Sequence, residues 1–196
     1  MKKTKGLKTQ KKVIDAAIKC LTQFGLHQTT FQKIADESNL SQSLVMHYFM
    51  KKDDIFPVVW DSIYQEALKT TSTRLQTQSS VEYKIREYIN VSWELFNQNE
   101  ALTKIYIQLY FLSSFDDKLK ATNSNVKRVA INRIAEIIVE GQKLGAFNKH
   151  INPFSCSKII HNTLSGFILN GISEFREFDY DTLLREYTEL LLNSLK

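Results

Sequence analysis

Apolar residues recur at three- and four-residue intervals along almost the whole chain, and no stretch alternates in the way a half-buried strand requires. That periodicity makes the helix the repeating unit. Six glycines and two prolines in 196 residues supply few breakers, while abundant Leu, Ile, Lys, Glu and Gln favour helix. The expected fold class is all-α, with about nine helices. A hydrophobic content of 43% is enough for a core. No apolar run approaches the ~18 residues of a membrane span, and Met1, Lys2, Lys3, Thr4 and Lys5 lead into a polar stretch without the apolar centre of a signal peptide. A cytoplasmic chain with no membrane partner is expected. Cys20 and Cys156 each fall on an apolar helix face, where cysteine usually serves as a small buried hydrophobe.

The periodic segments follow one another with short interruptions. Val13, Ala16, Ala17, Cys20, Leu21 and Phe24 form one face of a helix over roughly 9–24, stopped by Gly25. Thr29 or Thr30 caps a short helix carrying Phe31, Ile34 and Ala35, which ends by Asn39, a residue that tolerates a left-handed turn. Ser41 caps a third, with Leu44, Val45 and Phe49 toward the core and Gln42, Ser43, His47 and Tyr48 more outward. Asp53 or Asp54 caps a longer helix bearing Ile55, Val59, Trp60, Ile63, Tyr64 and Ala67. The Thr/Ser/Gln-rich stretch from Thr70 to Ser80 reads as its frayed end plus a linker. Further stripes run Val81 to Phe96, Leu102 to Tyr110, and Val126 through Ile138 to Leu144. Asn152-Pro153 then opens a helix holding Ile159, Ile160, Leu164, Phe167, Ile168, Ile172 and Phe175, and Asp179 or Asp181 starts the last.

The net charge of +5 is unevenly placed. Residues 1–56 hold ten lysines against five acids, while the remainder is balanced at sixteen of each. A basic segment beside a neutral body suits a polyanion partner. Two short helices joined by a tight turn after a longer amphipathic one form a helix-turn-helix, whose second helix places its N-terminal residues in the major groove of double-stranded DNA. Short or amide-bearing Ser41, Gln42 and Ser43 reach phosphates or base edges without bulk, and His47 and Tyr48 lie one turn further on. Lys2, Lys3, Lys5 and Lys8 on the arm, with Lys51 and Lys52 after the third helix, would neutralise phosphates.

From Lys12 to Asp54 the chain resembles the DNA-binding head of the TetR family of regulators. The resemblance is carried by Ile14, Ala16 and Ala17, Phe24-Gly25, Thr29-Thr30, Ile34-Ala35, Leu40-Ser41, His47-Tyr48-Phe49 and Lys52-Asp53. It departs from the family pattern at Asn39, where a turn glycine is usual, and at Met46, where the family has a phosphate-contacting tyrosine that Met cannot imitate. Weaker similarity continues through Gly141, Gly145-Ala146-Phe147, Asn152-Pro153 and Gly166 to Gly171. The resemblance implies a head at 1–52 and, at 53–196, a helical domain for effector binding and dimerisation. Its DNA-facing set is Thr29, Thr30, Ser41, Gln42, Ser43, Leu44, His47, Tyr48 and Lys52. It further implies a homodimer, packed through its last two helices, on a roughly palindromic operator.

Aromatic residues crowd the middle helices, and the resemblance places a small-molecule effector there. Trp60, Tyr64, Trp93, Phe96, Tyr106, Tyr110, His161 and Phe167 are the expected lining, although aromatics at helical spacing are commonly plain core. The function these features imply is a sequence-specific regulator, and the resemblance implies a repressor whose effector moves the fourth helix and respaces the two recognition helices. Alternatives are an effector-independent DNA-binding regulator and a helical protein-interaction module. A helical enzyme is disfavoured by the lack of a nucleophile-base pair. Cys156, His150 and His161 are poorly spaced for zinc, and Ser155 to Lys158 matches a four-residue Ser-x-x-Lys pattern without its companions. No catalysis, metal or cofactor is assigned.

Overall fold

The computed structural model describes the backbone of residues 2–173 and 179–196, and the side chains of 6–52, 54–55, 57–171 and 179–196. Lys2, Lys3 and Lys5 of the arm, the capping candidate Asp53, and the stripe positions Ile172 and Phe175 lie outside the described side chains. The described elements are helical: α1 (Lys2–Gln28), α2 (Phe31–Ser38), α3 (Gln42–Tyr48), a 3-10 turn (Lys52–Asp54), α4 (Ile55–Gln76), α5 (Val81–Asn97), α6 (Glu100–Leu112), α7 (Asp117–Lys143), α8 (Pro153–Ser173) and α9 (Tyr180–Leu195). No helix among them is long and apolar enough to cross a membrane. The chain forms two compact units, one of residues 1–66 with 100–123 and the other of 67–99 with 124–196. Packing therefore groups α6 with the head, an arrangement that a boundary at 52/53 does not anticipate.

In the first unit α1 buries Val13, Ala16, Ala17, Cys20 and Leu21, small enough at three positions for α2 and α6 to pack closely against it. The chain leaves this stripe at Gly25 (φ 68°, ψ 179°), a backbone state that side chains other than glycine's rarely reach. Thr29 closes the corner by returning both its N–H (3.2 Å) and its hydroxyl (2.7 Å) to the Gly25 carbonyl. Thr30 caps α2, its Oγ1 accepting from Lys33 N at 3.2 Å. Asn39 ends that helix in the left-handed region (φ 53°, ψ 44°). Ser41 caps α3 through Leu44 N at 3.3 Å. A serine or threonine cap is worth about 1 kcal/mol, a sizeable contribution for helices of eight and seven residues. Before α4, Asp54 reaches back from the 3-10 turn to accept from Lys51 N at 3.1 Å, so its carboxylate finishes the turn rather than capping α4 directly.

The expected fraying between Thr70 and Ser80 is corrected by the structure, because α4 runs to Gln76 and the linker shrinks to 77–80. Thr71, Ser72 and Thr73 donate to the carbonyls of Ala67, Leu68 and Lys69 four residues back (2.8, 2.8 and 3.1 Å). Their polar groups are thus satisfied within the helix. Arg133 of α7 donates to Leu68 O and to Ser72 Oγ (3.3 and 2.8 Å), and Arg74 pairs with Glu87 and Glu94.

The core of the second unit is mainly aliphatic. Ile85 and Ile89 of α5, Ile134 and Ile138 of α7, Ile160 and Leu164 of α8, and Leu184, Leu192 and Leu195 of α9 are buried together. Asn152 caps α8 (Ser155 N at 2.9 Å) and Asp179 caps α9 (Thr182 N at 3.1 Å). Leu144, expected on the α7 stripe, lies beyond the helix end and is 70% exposed. Phe147 takes the interior place, lying over Gly141 and buried to 3% exposure. A Cβ on Gly141 would stand 2.1–2.8 Å from three atoms of that ring. Alanine improves helix propensity by ~1 kcal/mol, but displacing a core phenyl outweighs this. Gly141→Ala is expected to destabilise the fold by about 1–3 kcal/mol net, read as a lower urea midpoint.

Candidate nucleic-acid interface

The candidate recognition face is built on α3. Val45 (0% exposed) and Phe49 (1%) anchor the helix. Opposite them Ser41, Gln42, Ser43, Met46 and His47 are exposed, with Leu44 and Tyr48 half-buried at the edges. Ser41 and Ser43 share a hydrogen bond between hydroxyls (3.1 Å), which orients both while leaving acceptor capacity outward. Tyr48 meets the His47 ring edge-on (5.6 Å) and donates its hydroxyl to the Gly6 carbonyl at 3.3 Å.

The remaining residues of the DNA-facing set divide. Thr30 is exposed, its oxygen already serving as the α2 cap. Thr29 is 1% exposed with its hydroxyl turned to Gly25, so its side chain has no surface for DNA and it works as a corner residue. Lys52 donates to the His27 carbonyl at 2.8 Å, tying the turn before α4 to the end of α1. Two ammonium protons stay available for a phosphate. Met46, exposed to 46%, presents no hydrogen-bond donor on this face.

The expected effector-lining residues divide between the two units. Trp60, Tyr64, Tyr106 and Tyr110 belong to the first unit, where Trp60 stacks on Tyr106 (5.5 Å between centroids) and Tyr106 leans on Tyr110 (6.1 Å). Trp93, Phe96, His161 and Phe167 belong to the second. Trp93 is fully accounted for as core: it stacks on Tyr180 and donates Nε1 to Asp181 at 2.8 Å. Phe167 packs edge-on against Tyr180 and Tyr187.

Among the described residues, Trp60 Nε1 and His161 Nε2 are buried side-chain atoms without a hydrogen-bond partner, and the buried Tyr187 hydroxyl lies near the Thr163 side chain without a well-formed hydrogen bond. Leaving such a group unsatisfied costs about 1–3 kcal/mol. Burial above all, with Thr163 pulling the other way, raises the Tyr187 phenol. Tyr187 reads in sequence as one more residue of an apolar stripe, and only its polar tip hints at another role. Cys20 and Cys156 are unpaired thiols raised by burial.

Comparison with known proteins divides the chain once, between residues 59 and 63, rather than along the two packed units. Residues 13–59 match the pattern of bacterial regulatory proteins of the tetR family, and residues 63–194 match the C-terminal region of YsiA-like proteins. The chain belongs to the TetR family. It is a DNA-binding transcriptional regulator. The probable acrEF/envCD operon repressor of Escherichia coli K12 is 24% identical over 90% of this chain and 82% of its own length. Among solved structures, the Bacillus subtilis regulator FadR in complex with stearoyl-CoA superposes with a TM-score of 0.83 at 18% identity, covering 94% of this chain and 98% of that one. A transcriptional regulator from Saccharomonospora viridis in complex with choline gives 0.84 at 16% identity, covering 95% and 96%. Those two likenesses establish the fold of this TetR-family regulator.

His161 gives the stability of this chain a pH dependence. Burial, helped by the Lys127 ammonium, lowers its imidazolium from 6.5 to about 4. The unfolded chain therefore binds a proton that the folded chain refuses. Stability is complete above pH 6.5 and declines as pH falls toward 4. Between pH 7.5 and pH 5 the decline attributable to this residue is about 2 kcal/mol. Urea unfolding of the wild type and of His161→Leu at both pH values is expected to show the variant losing less stability on acidification.

Proposed function

We propose that this TetR-family regulator is a cytoplasmic homodimeric repressor. Its two α3 helices read the half-sites of a roughly palindromic operator, and a small-molecule effector releases it. The observation carrying the DNA reading is the exposed row Ser41, Gln42, Ser43 and His47 on a helix fixed from behind by Val45 and Phe49. Gln42 suits the paired donor and acceptor of an adenine edge. Thr30, the ring of Tyr48 and Lys52 flank the row, and Leu44 offers an apolar contact for a thymine methyl. The relatives are named as regulators, and we assign this chain no catalysis.

Dimerisation is supported by apolar side chains left in water on the last two helices. Ile159 of α8 is 63% exposed, and Leu183 and Leu190 of α9, seven residues apart on one face, are 37% and 71% exposed. A two-fold axis through such a face pairs each stripe with its own copy.

The effector reading is supported by the unpartnered interior atoms. The indole of Trp60 in the first unit and the imidazole of His161 in the second are each a buried polar group that a molecule bound within that unit, carrying a complementary oxygen or nitrogen, would satisfy. Stearoyl-CoA and choline, bound by structural neighbours, are chemically unlike. The effector of this chain is therefore to be sought by its complementarity to these groups rather than by analogy. It releases DNA only insofar as it favours the conformation whose recognition helices no longer match the half-site spacing.

Selection of bound duplexes from a random library, followed by fluorescence anisotropy, tests the reading. The selected duplex is expected to bind far more tightly than its scrambled form. Gln42→Ala with His47→Ala should weaken binding about 10- to 100-fold on the selected duplex and little on the scrambled one; equal binding to both duplexes would sink sequence reading. For the assembly, Leu190→Asp should move the sedimenting species from dimer to monomer, and a monomeric wild type would remove the two-fold reading.

A further inference from the structure

The matched head begins at residue 13, yet α1 begins at Lys2. The preceding twelve residues carry six lysines and no carboxylate, and as far as Gln28 the only acid is Asp15. Lys8, Lys11 and Lys12 are all exposed, and their i, i+3, i+4 spacing gathers them on one helix face. Like charges so placed repel, and Asp15 one turn on offsets them only in part. Repulsion of this kind is relieved when a polyanion lies along the face.

A second observation locates this face. The Tyr48 hydroxyl at the end of α3 donates to the carbonyl of Gly6 at 3.3 Å, across 42 residues of sequence. The same ring supports His47. The basic extension is therefore fastened to the recognition helix rather than to a distant part of the head, and α1 packs on α3 as well as on α2.

We infer that Lys8, Lys11 and Lys12 form a second DNA-contacting element, gripping the phosphate backbone beside the groove that α3 enters, with Tyr48 as the positioning residue that holds it there. This inference rests on the DNA-binding reading above. Lysine ammoniums on flexible stems meet phosphates as point charges and carry no base information. The element thus supplies affinity and registers the helix on the duplex, while sequence preference stays with α3.

The test is anisotropy over a salt series with the full chain, on a selected duplex of roughly 30 base pairs and on its scrambled form. Removing one lysine–phosphate pair should flatten the slope of log K against log salt by about 0.9. Lys8→Gln/Lys11→Gln/Lys12→Gln is expected to flatten it by about 1 to 3 on both duplexes, leaving their affinity ratio unchanged. The corresponding triple arginine variant should keep the wild-type slope. Tyr48→Phe should weaken binding in the wild-type background and add nothing in the glutamine background, since both act through one element. An unchanged slope in a glutamine variant that melts like the wild type overturns the inference; strictly additive effects overturn the role of Tyr48. A wild type that binds both duplexes equally, with the slope still dependent on the three lysines, defeats sequence reading and leaves the backbone grip standing. A wild type that binds neither defeats both.

Discussion

A seven-residue helix does not hold itself together in water, so everything α3 can present to DNA depends on burying Val45 and Phe49 behind it. Those two side chains fix rotation about the helix axis, and the Ser41 cap fixes where the helix starts. Once both are set, Gln42, Ser43 and His47 have no choice of face. The corner preceding them is equally determined. Asn39 takes the left-handed turn, Thr30 opens α2, and Thr29 commits its hydroxyl to Gly25, so the path from α1 to α3 is closed by hydrogen bonds at each bend. Rigidity here serves recognition, because a reading helix that rocked would average over neighbouring base edges.

What was legible in the sequence was the chemistry that acts over a few residues. Thr30, Ser41, Asn152-Pro153 and Asp179 begin helices because an oxygen can reach an N–H two or three residues on, and Asn39 ends one because it tolerates positive φ. The errors arise where a short-range signal met a competing partner. Thr71, Ser72 and Thr73 look like linker residues, but backbone carbonyls four residues earlier absorb their hydroxyls and α4 continues. Leu144 looks like stripe, whereas Phe147 falls outside every stripe. The bare backbone of Gly141 reverses them by giving a phenyl ring a place to lie. The grouping of α6 with the head was not legible, because nothing in the sequence of α6 says which stripe it will bury against.

The candidate sites differ in legibility for the same reason. DNA-facing residues on α3 follow from helix register and a cap, both local. Effector-lining residues depend on which buried polar atoms find partners, and composition is blind to that. Trp93 and Trp60 are indistinguishable as letters, yet Asp181 and Tyr180 account for the first, while the indole N–H of the second is left without an acceptor. The unsatisfied group is the more informative of the two, since native interiors seldom leave such donors alone without a use for them.

Charge and shape divide the work of binding along the head. The residues on the exposed row of α3 are short or carry amide, hydroxyl and imidazole groups, suited to discrimination at close range. The positive charge is concentrated elsewhere, in the first turns of α1. Separation of this kind has a physical rationale. A lysine in the reading row would bind any sequence nearly as well as the right one, narrowing the difference in affinity on which specificity depends. Kept at the flank and fastened through Tyr48, the same charges raise affinity for all DNA equally and leave the choice among sequences to the row that can make it.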